Sequence, residues 1–242
     1  MRVLILGEDL GSFRDVVSDA GLSIVEDQPD VVISYGGDGR FIGAERVHPG
    51  IPKVGVRHEA TTNKCPAHQD DVFMARLREG RLEETLLMKL EATFNGSQAD
   101  AVNDIIVRNG DVRAAVRFRL FLNDLPVTEE LIADGVIVCT PFGSSAYFRS
   151  VTRTVIRTGI GVAINNCTDL LNHLVIGEDE EIRVRLTRGP ATLATDNDPD
   201  THQLSDGADI VIKKSAHSFR VLGIDSLRCS ECRYVHAPRR RY

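Results

Sequence analysis

Three short segments of this 242-residue chain carry side chains whose types and spacing point to chemistry. The first is Tyr35-Gly36-Gly37-Asp38-Gly39-Arg40. Glycines let backbone N–H groups come close to phosphate oxygens, and a helix start beyond them favours an anion. The aspartate among them can take a proton from an attacking hydroxyl or help hold a metal ion. A tight turn with a capping aspartate is the plainer alternative. The second segment is Asn103-Asp104, set between Val102 and the apolar Ile105-Ile106-Val107. Buried polar groups need partners, so the pair is either a hydrogen-bond node or a ligand contact. An asparagine amide can read an adenine edge, and a carboxylate can accept from ribose hydroxyls. The third runs from Asp134-Gly135 through Val136–Cys139 to Thr140-Pro141-Phe142-Gly143-Ser144-Ser145-Ala146-Tyr147. Gly143 and Ala146 permit close approach of a ligand, Ser144 and Ser145 offer hydroxyls, and Tyr147 offers a stacking face. A serine-hydrolase elbow would need glycine where Tyr147 stands, which excludes that reading.

The elements that must position these segments follow from the hydrophobic pattern. Apolar runs at Val3–Leu6, Val31–Ser34 and Lys53–Val56 read as strands. Helical spacing follows at Phe13–Ala20, at Phe41–Val47 before Pro49, and at Asp70–Arg78 before Gly80. Strands that are apolar throughout and separated by helices predict a parallel sheet covered on both faces. The glycine turn then lies at the carboxyl end of a strand, where open α/β sheets bind their ligands. From about residue 82 the pattern changes to strands and turns. Leu86–Phe94, Ala101–Arg108, Val112–Leu122, Val136–Cys139, Gly161–Ile164, Glu181–Leu186, Ala191–Thr195, Asp209–Ile212 and Phe219–Ile224 all read as strands. Asn95-Gly96, Asn109-Gly110 and Asn123-Asp124 read as hairpin turns. In Val112–Leu122, the even-numbered residues are expected to face a core and Arg113, Arg117 and Arg119 to face water. The expected fold class is α/β followed by all-β. An α/β domain over 1–82 carries the glycine loop, a β-sandwich spans 83–224, and a basic tail runs over 225–242.

Composition narrows the function. Lys and Arg number 29 against 35 Asp and Glu, a net charge of −6, which argues against a general nucleic-acid binder. The chain is 42% hydrophobic and 26% charged, as a globular protein is. No apolar run suits a membrane helix and no leader is evident, so a cytoplasmic enzyme or binding protein is expected. The five cysteines are scattered. Cys229 and Cys232 form one Cys-x-x-Cys pair followed by His236, which is half of a zinc site, and no metal ligands are assigned. The seven histidines show no paired spacing, and His173 is expected in a loop. Asp196-Asn197-Asp198-Pro199-Asp200 lacks the glycine and glutamate of a calcium loop and reads as an acidic turn between strands. The tail arginines 239–241 are expected to be solvated, to pack back on the acidic first domain, or to meet a phosphate.

In their order, Gly-Gly-Asp-Gly, an Asn-acid pair, and the long Asp134–Tyr147 motif resemble the NAD kinase family. The resemblance covers about residues 31–150, with weaker agreement to about 213. It implies a Rossmann-like N-terminal α/β domain and a C-terminal β-sandwich. It also implies transfer of a phosphoryl group from ATP or polyphosphate, with Mg²⁺ or another divalent cation, to the adenosine-ribose 2′-hydroxyl of NAD. Carried over to this chain, it makes Asp38 the base and sets Gly36, Gly37, Gly39 and Arg40 at phosphates. It sets Asn103 and Asp104 on the adenosine part of NAD, and Ser145, Ala146, Tyr147 and Ser150 around the adenosine pocket. Asp134 goes to the nicotinamide side, commonly across a subunit interface, in a homodimer or homotetramer built through the β-domain. NAD and ATP are the implied ligands. Other readings of the same residues are a kinase for a lipid or sugar hydroxyl and a non-catalytic dinucleotide-binding module. The chain departs from the family pattern at several places. Arg40 stands where the family has Thr or Ser, and Asp104 stands where it has Glu. Gly55-Val56-Arg57-His58-Glu59-Ala60 replaces the loop that usually frames the phosphate end, and Ser150-Val151-Thr152-Arg153 replaces a glycine-containing stretch.

Overall fold

A computed structural model describes residues 1–58 and 64–229. Glu59, Ala60, Cys232, His236 and arginines 239–241 lie outside the described residues. The chain divides into two compact units, Met1–Leu87 with the chain from Phe219 on, and Met88–Ser218. The expected boundaries were 82/83 and 224/225.

The first unit opens with β1 (Arg2–Leu6), α1 (Phe13–Asp19), β2 (Ser23–Ile24), β3 (Val31–Tyr35), α2 (Asp38–Val47), β4 (Lys53–Val56) and α3 (Asp70–Arg78). β4, β3, β1 and β2 lie side by side and parallel. Every residue of β3 and β4 is buried, which explains their unbroken apolar character. On one face Val31, Ile33 and Tyr35 pack with Phe13 and Val17 of α1 and with Phe73, Met74 and Leu77 of α3. α2 buries Phe41, Ile42 and Ala44, and Gly55 of β4 lies so close to the Phe41 ring that a Cβ there would meet it at 3.2 Å. Lys53, fully buried at the start of β4, is neutralised by the equally buried Glu45 of α2 and also donates to the His48 carbonyl.

The second unit is two antiparallel sheets. Its strands are β5 (Glu84–Phe94), β6 (Ser97–Ala101), β7 (Asp104–Asn109), β8 (Val116–Leu122), β9 (Leu125–Pro126), β10 (Leu131–Ala133) and β11 (Gly135–Cys139). After a helix, α4 (Tyr147–Thr152), come β12 (Ile160–Asn165), β13 (His173–Ile176), β14 (Ile182–Arg188), β15 (Ala191–Thr195), β16 (His202–Leu204) and β17 (Asp209–Leu222). One sheet runs β13-β12-β11-β7-β15-β16; the other holds β10-β8-β14-β17, with β5 and β6 beside β17. Val116, Phe118 and Leu120 of β8 and Val184 of β14 meet Val107 of β7 and Val136 and Val138 of β11 in one dry core, as in a sandwich. α4 covers the outer face of β11 and β12 through Phe148, which packs with Ile137, Cys139 and Ala163. The chain crosses between units within β5 and within β17, and α5 (Asp225–Arg228) follows in the first unit.

Several expectations are corrected. Ala101–Arg108 is not one strand: it bends at Val102–Asn103, where a side-chain carboxylate takes the backbone N–H groups. β8 starts only at Val116, and Val112 is 84% exposed, because Asp111 folds the chain into a turn by accepting the Arg113 N–H. Asn109-Gly110 joins strands of different sheets and is no hairpin. Asp209–Ile212 and Phe219–Leu222 belong to one 14-residue strand, hidden in the sequence by the polar stretch Lys213–Ser218, and the expected strand end at Ile224 falls short at Leu222. His173 lies on β13, half-buried, with its ring edge-on to Phe148 at 5.8 Å.

Candidate functional site

In the first unit the chain leaves β3 through Gly36, whose φ of +147° only glycine adopts without strain. Its N–H bonds the Val56 carbonyl at 2.8 Å, fixing the turn to β4. Gly37 caps α2, and Asp38 is that helix's first residue. Gly37, Asp38 and Gly39 are exposed at the positive end of a ten-residue helix. The structure thus brings Gly36, Gly37, Asp38, Gly39 and Arg40 into one turn at the carboxyl end of a parallel strand. The Asp38 carboxylate is 66% exposed and pairs with the Arg57 guanidinium at 2.5 Å. Arg40 is ion-paired with Glu8, beyond the end of β1, at 2.7 Å. Arg57 lies in the altered loop that the sequence already marks at the phosphate end, whereas nothing in the local pattern of Glu8 separates it from other surface charges.

In the second unit Asn103 and Asp104 sit at the bend before β7. Asp196, just past β15, holds them: its carboxylate accepts the N–H of Val102 at 2.8 Å, Asn103 at 2.6 Å and Asp104 at 3.1 Å. The acidic turn expected there is therefore the clamp of the Asn-Asp pair. Burial pushes the Asp196 carboxyl up, against the three backbone hydrogen bonds that lower it. Burial, reinforced by the Asp196 charge, raises Asp104 from the usual 3.8 to about 7. Cys139, opposite Asp104 on β11, is pushed up to about 12, first by burial and then by Asp104. The Asn103 Oδ1 is buried without a hydrogen-bond partner. Thr140 ties the third motif to the second, its N–H bonding the Asn103 carbonyl at 2.9 Å and its hydroxyl the Val102 carbonyl at 2.7 Å. A Cβ on Gly143 would meet the Asn103 backbone at 2.2–2.5 Å, so glycine alone permits this closeness.

Ser145 and Ala146 are exposed, as is Ser150, while Tyr147 is half-buried. Ser144, expected to offer its hydroxyl, instead spends it on the carbonyls of Pro141 and Ile156. Tyr147 and Ser150 line a cavity of about 580 Å³ with Asn165, Asn166 and Asn172. Asn165 Nδ2 donates to the Tyr147 hydroxyl at 3.3 Å, and Asn166 Nδ2 donates to Asp134 at 3.0 Å. Asp134 is not beside Asn103 and Asp104. β11 pairs Cys139 with Asp104 and Gly135 with Arg108, so Asp134 stands at the far end, about 16 Å along the strands. The asparagines of the cavity wall were also missed; Asn165-Asn166 closing an apolar strand was the signal.

Comparisons with known proteins give this geometry a family. The profile of the ATP-NAD kinase C-terminal domain matches residues 102–223. The NAD kinase of Magnetococcus marinus is 30% identical over 228 residues, spanning 88% of this chain and 70% of the relative. That of Clostridium perfringens strain 13 is 26% identical over 81% of this chain and 76% of its own length. Among solved structures, yeast NADH kinase complexed with NADH superposes with a TM-score of 0.79 at 16% identity, over 95% of this chain and 87% of that one. An Archaeoglobus fulgidus NAD kinase in complex with ATP gives 0.75 at 16% identity, over 94% and 96%. The profile begins at the bend that Asp196 clamps and ends beyond β17, and the relatives align along most of the chain: the chain belongs to the NAD kinase family.

Proposed function

We propose that this chain transfers the terminal phosphoryl group of ATP to the adenosine-ribose 2′-hydroxyl of NAD, giving NADP and ADP. The observation that carries the reading is Asp38, an exposed carboxylate at the first residue of α2, within the glycine turn of a chain that belongs to this family. The hydroxyl oxygen bonds the γ-phosphorus, the bond to the ADP oxygen breaks, and the hydroxyl proton passes to Asp38. Gly36, Gly37 and Gly39 let backbone approach the phosphates, and Arg40 and Arg57 supply guanidinium forks suited to phosphate oxygens. Arg57 then exchanges Asp38 for a phosphate, which releases the carboxylate as a base. Asn103 and Asp104 take the adenosine part of NAD. The buried, unpartnered Asn103 Oδ1 supports this role, since a ligand N–H would satisfy it. Ser145, Ala146, Tyr147 and Ser150 line the adenosine pocket.

A divalent cation such as Mg²⁺ suits hard oxygen donors, and the exposed carboxylates of Asp38 and Glu8 would supply them. When bound with the donor, it neutralises phosphate charge. Asp134, at the bend before β11 and remote from Asn103, serves the nicotinamide side of a dinucleotide held by a neighbouring copy. A homodimer or homotetramer through the second unit provides that copy. Exposed Val175 on the edge strand β13 and exposed Leu170 in the cavity wall support such an interface. Among the described residues no helix is long and apolar enough to cross a membrane. The test is an acceptor-by-donor matrix of NAD and NADH against ATP and polyphosphate with Mg²⁺, read by an NADP-specific dehydrogenase. NADP formed from NAD and ATP is expected. A folded chain that binds NAD but turns over with no donor would be a binding module instead.

A further inference from the structure

Outside the site just described, one cluster of side chains has no part in phosphoryl transfer. Cys229 comes more than 160 residues after Cys65 and His68, yet the ligand atoms of all three lie within 4.8 Å of one another. Cys65 and His68 are buried and Cys229 is half-buried, all in the first unit. We propose that these three residues bind a zinc-class divalent cation as a structural site.

The geometry is that of a ligand set. Cys65-Pro66-Ala67-His68 is a tight turn, with Pro66 opening a 3₁₀ helix and the His68 N–H bonding the Cys65 carbonyl at 2.9 Å. The turn sets the Cys65 Sγ 3.2 Å from the His68 Nδ1. Ligand atoms around a tetrahedral zinc are separated by about 3.5–3.8 Å, which the observed spread of distances brackets. The other ring nitrogen, Nε2, is 2.8 Å from the Asp225 carboxylate of α5. A carboxylate behind a histidine fixes its tautomer and turns the opposite nitrogen toward a metal. The Phe73 ring stands edge-on to His68 at 5.8 Å and gives the site an apolar wall. Two thiolates balance the charge of one divalent cation, and their two protons leave to solvent on binding. Cys229 belongs to the Cys-x-x-Cys pair noted in the sequence, and the structure brings it to Cys65-x-x-His68. The cation would join the segment leading into α3 to the chain after α5. That segment follows Arg57, the partner of Asp38.

The experiment uses the full chain, purified under reducing conditions without chelator from zinc-supplemented medium. Mass spectrometry of the metal should find about one zinc per chain. Replacing zinc with Co²⁺ should give thiolate-to-cobalt charge-transfer absorption and tetrahedral d–d bands. Cys65→Ser and Cys229→Ser should each lose the charge-transfer intensity of one thiolate. Asp225→Asn, which removes no ligand, should weaken zinc about 10- to 100-fold. Cys229→His should retain a tetrahedral cobalt spectrum, which separates lost ligation from lost folding. A folded chain with less than about a tenth of an equivalent of zinc and no thiolate–cobalt band overturns the proposal. Zinc content and affinity unchanged in the cysteine variants also overturn it, as does a Cys65–Cys229 disulfide in the reduced preparation.

Discussion

Asp38 in the first unit and Asp104 in the second are both aspartates at the start of an element, and their surroundings are opposite. Asp38 stands in water with a guanidinium beside it. Asp104 is buried, with a second carboxylate, Asp196, as its electrostatic neighbour, and its carboxyl is raised to about 7. Cation pairing itself is common to both units, for the second pairs Glu130 with Arg117 and Asp209 with Arg185. The first pairs Glu8 with Arg40, Glu45 with Lys53, and Asp225 with His68. The central carboxylate of the second, Asp196, is held by three backbone N–H groups. The lesson is that a carboxylate at an exposed helix start is left wet beside a guanidinium. One meant to fix backbone is buried and enclosed by N–H donors.

The sharpest way to break the comparison is Asp38→Asn. It should lower turnover about 10²- to 10⁴-fold while NAD affinity stays within about tenfold, measured by steady-state kinetics and calorimetry. A variant that instead unfolds would make Asp38 structural, like Asp196. Next, Lys53→Met leaves Glu45 buried without its cation and should cost about 3–5 kcal/mol in urea unfolding. The double change Lys53→Met with Glu45→Leu should recover most of that, and failure to do so would deny the pairing its role. Third, Asp196→Asn offers one acceptor oxygen to three N–H groups and should cost about 2–4 kcal/mol. It should also weaken NAD binding, because the bend carrying Asn103 relaxes.

Fourth comes pH. The folded chain holds the Asp104 proton more tightly than the unfolded chain, whose value is the usual 3.8. The contribution to stability is therefore complete below about pH 4 and is lost as pH rises through about 7. Asp104→Asn should flatten this dependence and be the more stable protein at pH 8 by a few kcal/mol, on the order of the shift itself. Identical pH profiles for the two proteins would contradict the raised value. Smallest is Arg40→Thr, which removes an exposed ion pair and should change stability by less than about 1 kcal/mol. Its effect should appear as a modest rise in KM for ATP, and an equal rise in KM for NAD would move Arg40 off the phosphates.

Much of this was legible in the chain itself. β3 and β4 are apolar at every position because both faces of a parallel sheet are covered, and α3 was found at Asp70–Arg78 to the residue. The glycine turn was placed correctly because a strand ends and a helix begins around it. β17 was split in two because its middle residues, Lys213–Ser218, lack an apolar rhythm. The sequence shows Asp196 only as part of an acidic turn between strands, since its three N–H partners lie more than 90 residues earlier. The Cys65–His68 pair was passed over because neither half of the cluster is complete alone.

The sequence by itself determined the fold class, the glycine turn with Asp38, and the family resemblance. These depend on periodicity and short spacing, which are local properties of the chain. Only the tertiary structure decided which groups meet: Arg57 with Asp38, Asp196 with the Asn103–Asp104 bend, and Cys229 with Cys65 and His68. Such meetings are set by sheet order and by burial, which fix distance and dielectric together. A side chain's charge state and reactivity follow from that surrounding, as Asp38 and Asp104 show with the same carboxyl group.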